Sequence, residues 1–536
     1  MMTPSGSAMD EKRARLAQLL APLRQADAWA RSGEWDSCVR AARQFKATWR
    51  RRRLLDHVYA NILLGRAYLA QDDLPAARTV LLESQRDMAG DERGSVPPGH
   101  AYRIATSTTL GDVFLRQGKV DKAVTCLQNA CRDAVVAGDE VAMARTYLRL
   151  GRVQMDDAGR IEDAVQSFEY VCSLAICIDA DADAWNSLGN ARLQLGDVGA
   201  AREAFDHARH VLEAEGDIDN PDLATLYVNL GMCHKALVNG AEAVAYFHKG
   251  RILRERVLGA NHEDTATTYV NLASLYLDQG DVQRAVEYGT RALQVRRAIQ
   301  GEETLAVAEC MSLLGAVHLH RRDFQSALLF SQQAYLCRQK LLGEAHEATT
   351  RARLSVADVY THEGRSDEAL AIYTQELDRA TRRHGKMHET TAALFNGVAN
   401  ILRQQDRKAQ ALEMYKDALA VYEHVYGPEH ATVATLCNNI GHLSQPRTAL
   451  QLYVRARAIR ERALGPAHPD TAACWMNLGH AYLAQRPPQT HLAQQHFERA
   501  KQLYLDAADG DADQADVVAA QRQLVMLKRR ASSRRK

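Results

Sequence analysis

The sequence predicts an all-α solenoid of about twelve stacked helix-turn-helix units, and three observations lead to it. A small residue recurs at Ala26, Gly65, Gly111, Gly151, Gly189, Gly231, Ala273, Gly315, Ala357, Ala399, Gly441 and Gly479. In most copies an alanine follows twelve residues later, at Ala77, Ala123, Ala201, Ala243, Ala285, Ala327, Ala369 and Ala411. Only 12 prolines occur in 536 residues, which leaves long helices uninterrupted. Two small residues at fixed separation let helix axes approach where larger side chains would hold them apart. One such hairpin cannot bury its apolar face alone, so copies must stack.

Residues 268–300 show the unit plainly. Tyr269, Leu272, Ala273 and Tyr276 share one face of a first helix, Gly280 and Asp281 turn the chain, and Val282, Ala285, Val286, Ala292 and Leu293 line a second helix. In chain order, residues 1–9 are expected to be disordered, and Asp10 to Leu20 to form a short capping helix before Pro22. Irregular repeats follow over 10–221, with marker spacings of 39, 46, 40 and 38 residues. Extra length falls at residues 90–100, where Gly and Pro mark a loop. Arg50 to Arg53 form a basic cluster, read as a solvated face, with contact to an acidic partner as the alternative.

From Gly189 to Gly441 the spacing is 42 residues six times in succession, and the regular repeats span 222–505. Their second helices end in related loops: Leu258-Gly-Ala-Asn-His262, Leu342-Gly-Glu-Ala-His346, Tyr426-Gly-Pro-Glu-His430 and Leu464-Gly-Pro-Ala-His468. Each glycine suits a helix C-terminus, and the Asp or Thr after the histidine, as at Asp264-Thr265 and Asp470-Thr471, is expected to supply the N-cap oxygen of the next helix. Repeat 11 breaks register, because Ala449 follows Gly441 after eight residues with Pro446 between them. Its first helix should lose about one turn. Repeat 12 carries an insertion around Arg486-Pro487-Pro488, residues 506–529 supply a C-terminal capping helix, and 530–536 form a basic tail. Arg529-Arg530-Ala531-Ser532 resembles a basophilic kinase site.

The formal net charge is +1, from 67 basic and 66 acidic side chains, so no global field recruits nucleic acid or an anionic membrane. No run approaches the roughly 20 apolar residues of a membrane span, and no signal core follows Met1; a cytoplasmic protein is expected. The cysteine pairs Cys126/Cys131 and Cys172/Cys177 lack metal or redox spacing and read as core packing. No phosphate loop, nucleophile elbow or paired zinc histidines occur. His388-Glu389 begins like a zinc helix, but Ala392 stands where the second ligand is required. The recurring His262, His346, His388, His430 and His468 are expected to cap loops along one edge. Neither enzyme activity nor a cofactor or metal is expected.

The small-residue pattern, second-helix segments such as Ala201-Arg-Glu-Ala-Phe205 and turns such as Gly196-Asp197 resemble the tetratricopeptide repeat. The 42-residue units resemble the kinesin light chain type more narrowly. They share its first-helix cores, Val270-Asn271-Leu272-Ala273 and Met476-Asn477-Leu478-Gly479. They also share its second-helix ends, Arg254-Glu255-Arg256-Val257-Leu258-Gly259 and Arg460-Glu461-Arg462-Ala463-Leu464-Gly465, with a looser copy from Arg338 to Gly343. The resemblance implies a superhelix whose first helices line a concave groove that takes short acidic peptides with an aromatic anchor.

On those first helices stand Asn229, Asn271, Asn439 and Asn477, each two residues before a marker, with Asn396, Asn400, Lys235 and Arg403 near them. An amide offers both a donor and an acceptor to an extended backbone, and the two cations suit acidic side chains. The same asparagines suit helix-to-helix bonding within the stack. The expected function is a non-catalytic adaptor or scaffold with protein or acidic-peptide partners, among them microtubule-motor cargo. A structural component of a cytoskeletal or ciliary assembly is the alternative.

Overall fold

The small-residue register becomes an all-helical chain in the computed structural model, which describes residues 21–48, 54–89, 96–156, 158–174, 180–466, 468–507 and 515–533. First and second helices alternate along the chain, from residues 21–32 and Trp35–Thr48 to Pro469–Ala484 and Thr490–Ala507, and Ala515–Ser533 follows them. No strand occurs among the described residues. The chain divides into two compact units, Met1–Leu275 and Tyr276–Lys536. The capping helix expected over Asp10 to Leu20 and the Arg50 to Arg53 cluster lie outside the described residues.

Within a hairpin, a side chain of the second helix lies on the glycine marker: an aromatic ring at Gly151, Gly189, Gly231, Gly441 and Gly479, a leucine at Gly65 and Gly111, and Ser331 at Gly315. A Cβ at Gly189 would stand 2.5 Å from the Phe205 ring, and one at Gly231 would stand 2.7 Å from Phe247. The alanines at the second small position, among them Ala77, Ala201, Ala327 and Ala411, are fully buried. In repeat 11 the first helix, Ala431–Leu443, has 13 residues, against 16 in Glu389–Gln404. Pro446 opens the second helix there, in the first turn, where a missing N–H costs nothing.

Seven residues after most markers the turn takes a left-handed backbone, supplied by Gly196 at φ 80° and Gly280 at φ 77°. Val238 occupies the same place at φ 62° with its side chain 88% exposed, a costly conformation for a β-branched residue. Val238→Gly is therefore expected to raise stability by about 1 kcal/mol, the relieved strain exceeding the added unfolded-state entropy. A lower urea midpoint for the variant would refute this account of the turn.

The inter-repeat loop differs from expectation in one respect. The cap is the histidine imidazole itself, not the Asp or Thr that follows it. Nδ1 of His262, His346, His388 and His468 accepts from the backbone N–H two residues on, at 3.1–3.2 Å, and His430 does so at 3.4 Å. Accepting at Nδ1 leaves the ring proton on Nε2. The threonine turns backwards instead: Thr265, Thr391 and Thr471 donate from Oγ1 to the carbonyls of Gly259, Gly385 and Gly465 at 2.9–3.0 Å. The loop is thereby closed on itself before the next helix begins.

The Arg-Glu-Arg ends of the second helices are latches between neighbouring helices. Arg254, 7% exposed, donates to the Asp264 carbonyl at 2.7 Å, to Thr268 at 3.0 Å and to Thr225 at 3.2 Å. It thus joins Pro221–Ala236, Gly240–Val257 and the start of the next first helix. Arg460 repeats the pattern on the Asp470 carbonyl at 2.9 Å and Thr435 at 3.4 Å. Glu255 accepts from the Tyr269 hydroxyl at 2.6 Å, and Arg256 pairs with Asp219 at 2.9 Å, as Arg462 pairs with Glu429. The bonds of the buried Arg254 contribute about 1.5–3 kcal/mol each, which makes this arginine a component of the stack, while the exposed Arg256 and Arg462 pairs are screened by solvent and add little.

At the C-terminal end Val517, Ala520, Leu524 and Leu527 of the last helix are buried, covering the apolar face of repeat 12. The described cysteines form no disulfide, and burial pushes the Cys131 thiol up to about 11, which suits packing and not redox chemistry.

Candidate functional site

The predicted polar residues of the first helices do two different jobs. In the first unit they are engaged within the stack. Asn229 is buried and donates from Nδ2 to Oδ1 of Asn186 at 3.2 Å, which ties two successive first helices together. Lys235 donates from Nζ to the Ser274 hydroxyl at 2.7 Å. Asn271, Asn439 and Asn477 are half-buried. Asn438, which stands beside Asn439 and was not foreseen, is buried with Nδ2 3.6 Å from the Cys474 sulfur and Oδ1 without a partner.

In the second unit Asn400 and Arg403 come together. Tyr415 donates its hydroxyl proton to Asn400 Oδ1 at 2.6 Å, and Arg403 beside it partly offsets the burial that pushes the Tyr415 phenol up. Asn396, one turn earlier, keeps a buried Oδ1 with no partner. The next first helices continue the row. His442 lies 3.1 Å from the Tyr453 hydroxyl through Nδ1, and the His480 ring meets Phe497 edge-on at 5.0 Å between centroids. Asn400, His442 and His480 each stand one residue after a marker, so the register alone pointed to the two histidines.

Both imidazoles stay open on one side, yet desolvation of their inner atoms holds them below the ordinary range. Arg403 and His480 add to the effect at His442. His496 is lowered too, by burial first and then by Arg457. At neutral pH the row therefore offers neutral imidazole, amide and hydroxyl groups beside one guanidinium, which suits hydrogen bonding to a backbone and not acid–base chemistry.

A pH dependence follows with a definite sign. These three groups bind protons more weakly folded than unfolded, so stability rises with pH where the unfolded chain is the more protonated state. Their contribution is complete above the ordinary imidazole value of about 6.5 and is lost as pH falls through and below it. The urea midpoint of the last three repeats is expected to drop between about pH 7 and about pH 5. His442→Gln, His480→Gln and His496→Gln together should flatten that drop; an unchanged slope in the triple variant would refute the assignment.

Two other clusters are structural. A cavity of about 550 Å³ is lined by Glu344, Glu347 and Glu376 against Arg379, Arg382 and Arg383, with His384 and His388, so its carboxylates and guanidinium groups are equal in number. Arg379 pairs with Glu344 at 2.7 Å, and Arg383 donates to the Ala345 carbonyl. His57 turns Nδ1 to Asp87 at 3.1 Å and Nε2 to Glu83 at 3.9 Å, while Lys46 holds Glu83 at 2.8 Å. Two ring nitrogens facing two carboxylates fit ion pairing, since one metal takes only one of them. No helix among the described residues is long and apolar enough to cross a membrane.

A tetratricopeptide repeat family model matches residues 222–298, 264–340, 304–382, 348–424, 390–443 and 429–506, and a second matches 108–176 and 156–214. No curated protein matches the chain. Among solved structures it is similar to BtubC (BKLC) from P. vanneervenii, with 25% identity over 43% of this chain and 92% of that one and a TM-score of 0.38. A putative kinesin light chain of Podosopora anserina with nearly identical TPR-like repeats is 19% identical over 38% of this chain and 98% of its own, with a TM-score of 0.34. The apo form of RapI is 13% identical over 54% of this chain and 99% of its own, at 0.40.

Proposed function

From the premise that this chain belongs to the tetratricopeptide repeat family, whose fold serves as a protein-interaction scaffold, we propose a non-catalytic adaptor that binds peptide segments of other proteins along its first helices. The observation that supports it best is the row Asn400, Arg403, His442 and His480, with Arg403 and the two imidazoles exposed and Asn400 half-buried beside them. Asn396, Asn439 and Asn477 extend the same surface, while Asn229, Asn271 and Lys235 form the corresponding positions of the first unit. The kinesin-light-chain-type loops favour cargo of microtubule motors as the partner class, and the cytoplasm as the place.

A second reading, a structural component of a cytoskeletal or ciliary assembly, is favoured by the outer surface. Leu329 and Leu336, seven residues apart on Phe324–Leu342, are 53% and 57% exposed on one helix face. A peptide-array screen with the full chain separates the two readings. Asn400→Ala with Arg403→Ala and His442→Ala is expected to abolish peptide capture and leave helicity intact. Unchanged capture removes the groove reading, and loss of partner recovery only in Leu329→Ser with Leu336→Ser favours the assembly.

A further inference from the structure

We propose that the last helix, Ala515–Ser533, is a first helix without its second helix, and that its open face docks an amphipathic helix of another protein, with alanine on the docking stripe and carboxylates on the flank. This goes beyond the scaffold reading, because the partner completes the stack and does not lie along it.

The last helix keeps the register of the first helices before it. Leu305, Glu347, Glu389, Ala431 and Pro469 open the preceding ones, and ten residues on stand the markers Gly315, Ala357, Ala399, Gly441 and Gly479. Ten residues after Ala515 stands Val525. Three residues in, the earlier helices carry Ala308, Thr350, Ala392, Ala434 and Ala472, and the last carries Val518. Positions two, five, nine and twelve residues in face the preceding repeat, and there the match is complete. Val517, Ala520, Leu524 and Leu527 are buried, as Thr471, Cys474, Leu478 and Ala481 are.

The marker and the third position differ. In the earlier repeats the hairpin's own second helix covers them, so that Ala472 packs with Ala500 and Leu503 and is fully buried. Here Val525 is 38% exposed and Val518 is half-buried, and among the described residues no second helix follows. A β-branched residue is tolerated at this marker because nothing lies on it.

Between the last helix and Thr490–Ala507 the open face forms a groove of about 490 Å³, lined by Val518, Val525 and Met526, and by Lys501 and Arg522 without a carboxylate. A terminal repeat ordinarily turns a polar face outward, and three apolar side chains stand here instead. A helix suits the face because helices cover its counterparts in the preceding repeats. Its stripe must differ from theirs. Phe497 lies on Gly479, where a Cβ would stand 2.5 Å from the ring. With Val525 at the marker an aromatic residue has no room, and alanine has. Two cations without an anion select glutamate or aspartate on the flank. They disfavour a second copy, whose identical face would set like charges against each other.

The test uses the full chain and fluorescein-labelled helical peptides of 18 residues, the length of Thr490–Ala507. The first has an alanine and leucine stripe, alanine in the place of Phe497, and glutamate flanks. The second has phenylalanine in that place, and the third has lysine flanks. The first is expected to bind about ten-fold more tightly than either of the others. Val525→Ala should reverse the choice between alanine and phenylalanine, since Ala399 shares its core with Tyr415. Lys501→Glu with Arg522→Glu should make the lysine peptide the preferred one. Unchanged circular dichroism confirms that the variants fold. Failure of the first peptide to bind, a choice between alanine and phenylalanine that ignores Val525→Ala, or a glutamate preference that survives charge reversal overturns the proposal. Self-association on sedimentation that Val525→Asp abolishes also overturns it, since a second copy then covers the face. If binding is lost only in Asn400→Ala with Arg403→Ala and His442→Ala, the peptide sits on the first-helix row; the proposal falls and the scaffold reading stands. If the peptide-array screen fails while binding follows Val525, Lys501 and Arg522, the reverse holds.

Discussion

Glu376→Ala is expected to destabilise the hairpin of Glu347–Glu363 and Ser366–His384 by about 3 kcal/mol, because it leaves a largely buried cation with only the half-exposed Glu344 at 3.8 Å as counter-ion. The Glu376 side chain is 3% exposed and the Arg353 side chain 14%, with 2.7 Å between Oε1 and Nη1. Arg379 adds a longer contact at 3.1 Å but is 35% exposed, so solvent screening makes its share small. Thr350 donates to the other carboxylate oxygen at 3.3 Å. Hydrogen exchange across the two helices is the suitable measurement, since repeat arrays need not unfold in one step. Arg353→Met with Glu376→Leu should recover most of the loss, because replacing both charges removes the desolvation penalty along with the attraction. Protection unchanged in Glu376→Ala would show that water reaches Arg353.

The Arg-Glu-Arg latch shows what a sequence discloses and what it withholds. The motif was readable as a mark of kinship, but its job was not, because Arg254 acts through Thr225 and Thr268, on helices before and after its own. The same limit explains the histidine caps. Loop capping by the recurring histidines was legible, but the sequence also offered Asp264 and Thr265 as N-cap oxygens, and geometry shows that the imidazole takes that bond while Thr265 closes the loop. The small-residue register was legible because it is a steric rule repeated many times along one chain. Binding residues obey no such rule. Asn229 stands two residues before a marker and Asn400 one after, but neither offset discloses that one bonds another asparagine across the stack while the other accepts from Tyr415 of its own hairpin.

The steric rule itself gives the other large effect. Phe205 is fully buried on Gly189, and Phe205→Ala should cost the repeat about 3–5 kcal/mol through lost burial and the cavity left behind. Gly189→Ala tests the same contact from the opposite side. Alanine improves helix propensity by about 1 kcal/mol. Its Cβ would nevertheless stand 2.5 Å from a ring that shares one core with Ala201, Ala208, Leu226 and Leu230, and overpacking costs about 1–3 kcal/mol. The balance is expected to be unfavourable although the substitution suits the helix. Combining Gly189→Ala with Phe205→Leu should then be less harmful than the sum of the two, because leucine vacates the space that the methyl group needs. Because each hairpin contacts only its neighbours, the loss of exchange protection should be confined to Ala180–Gln194, Val198–Glu215 and the adjoining helices. Strict additivity in the double variant would mean that the ring moves aside freely, and that the glycine at this marker serves something other than close approach.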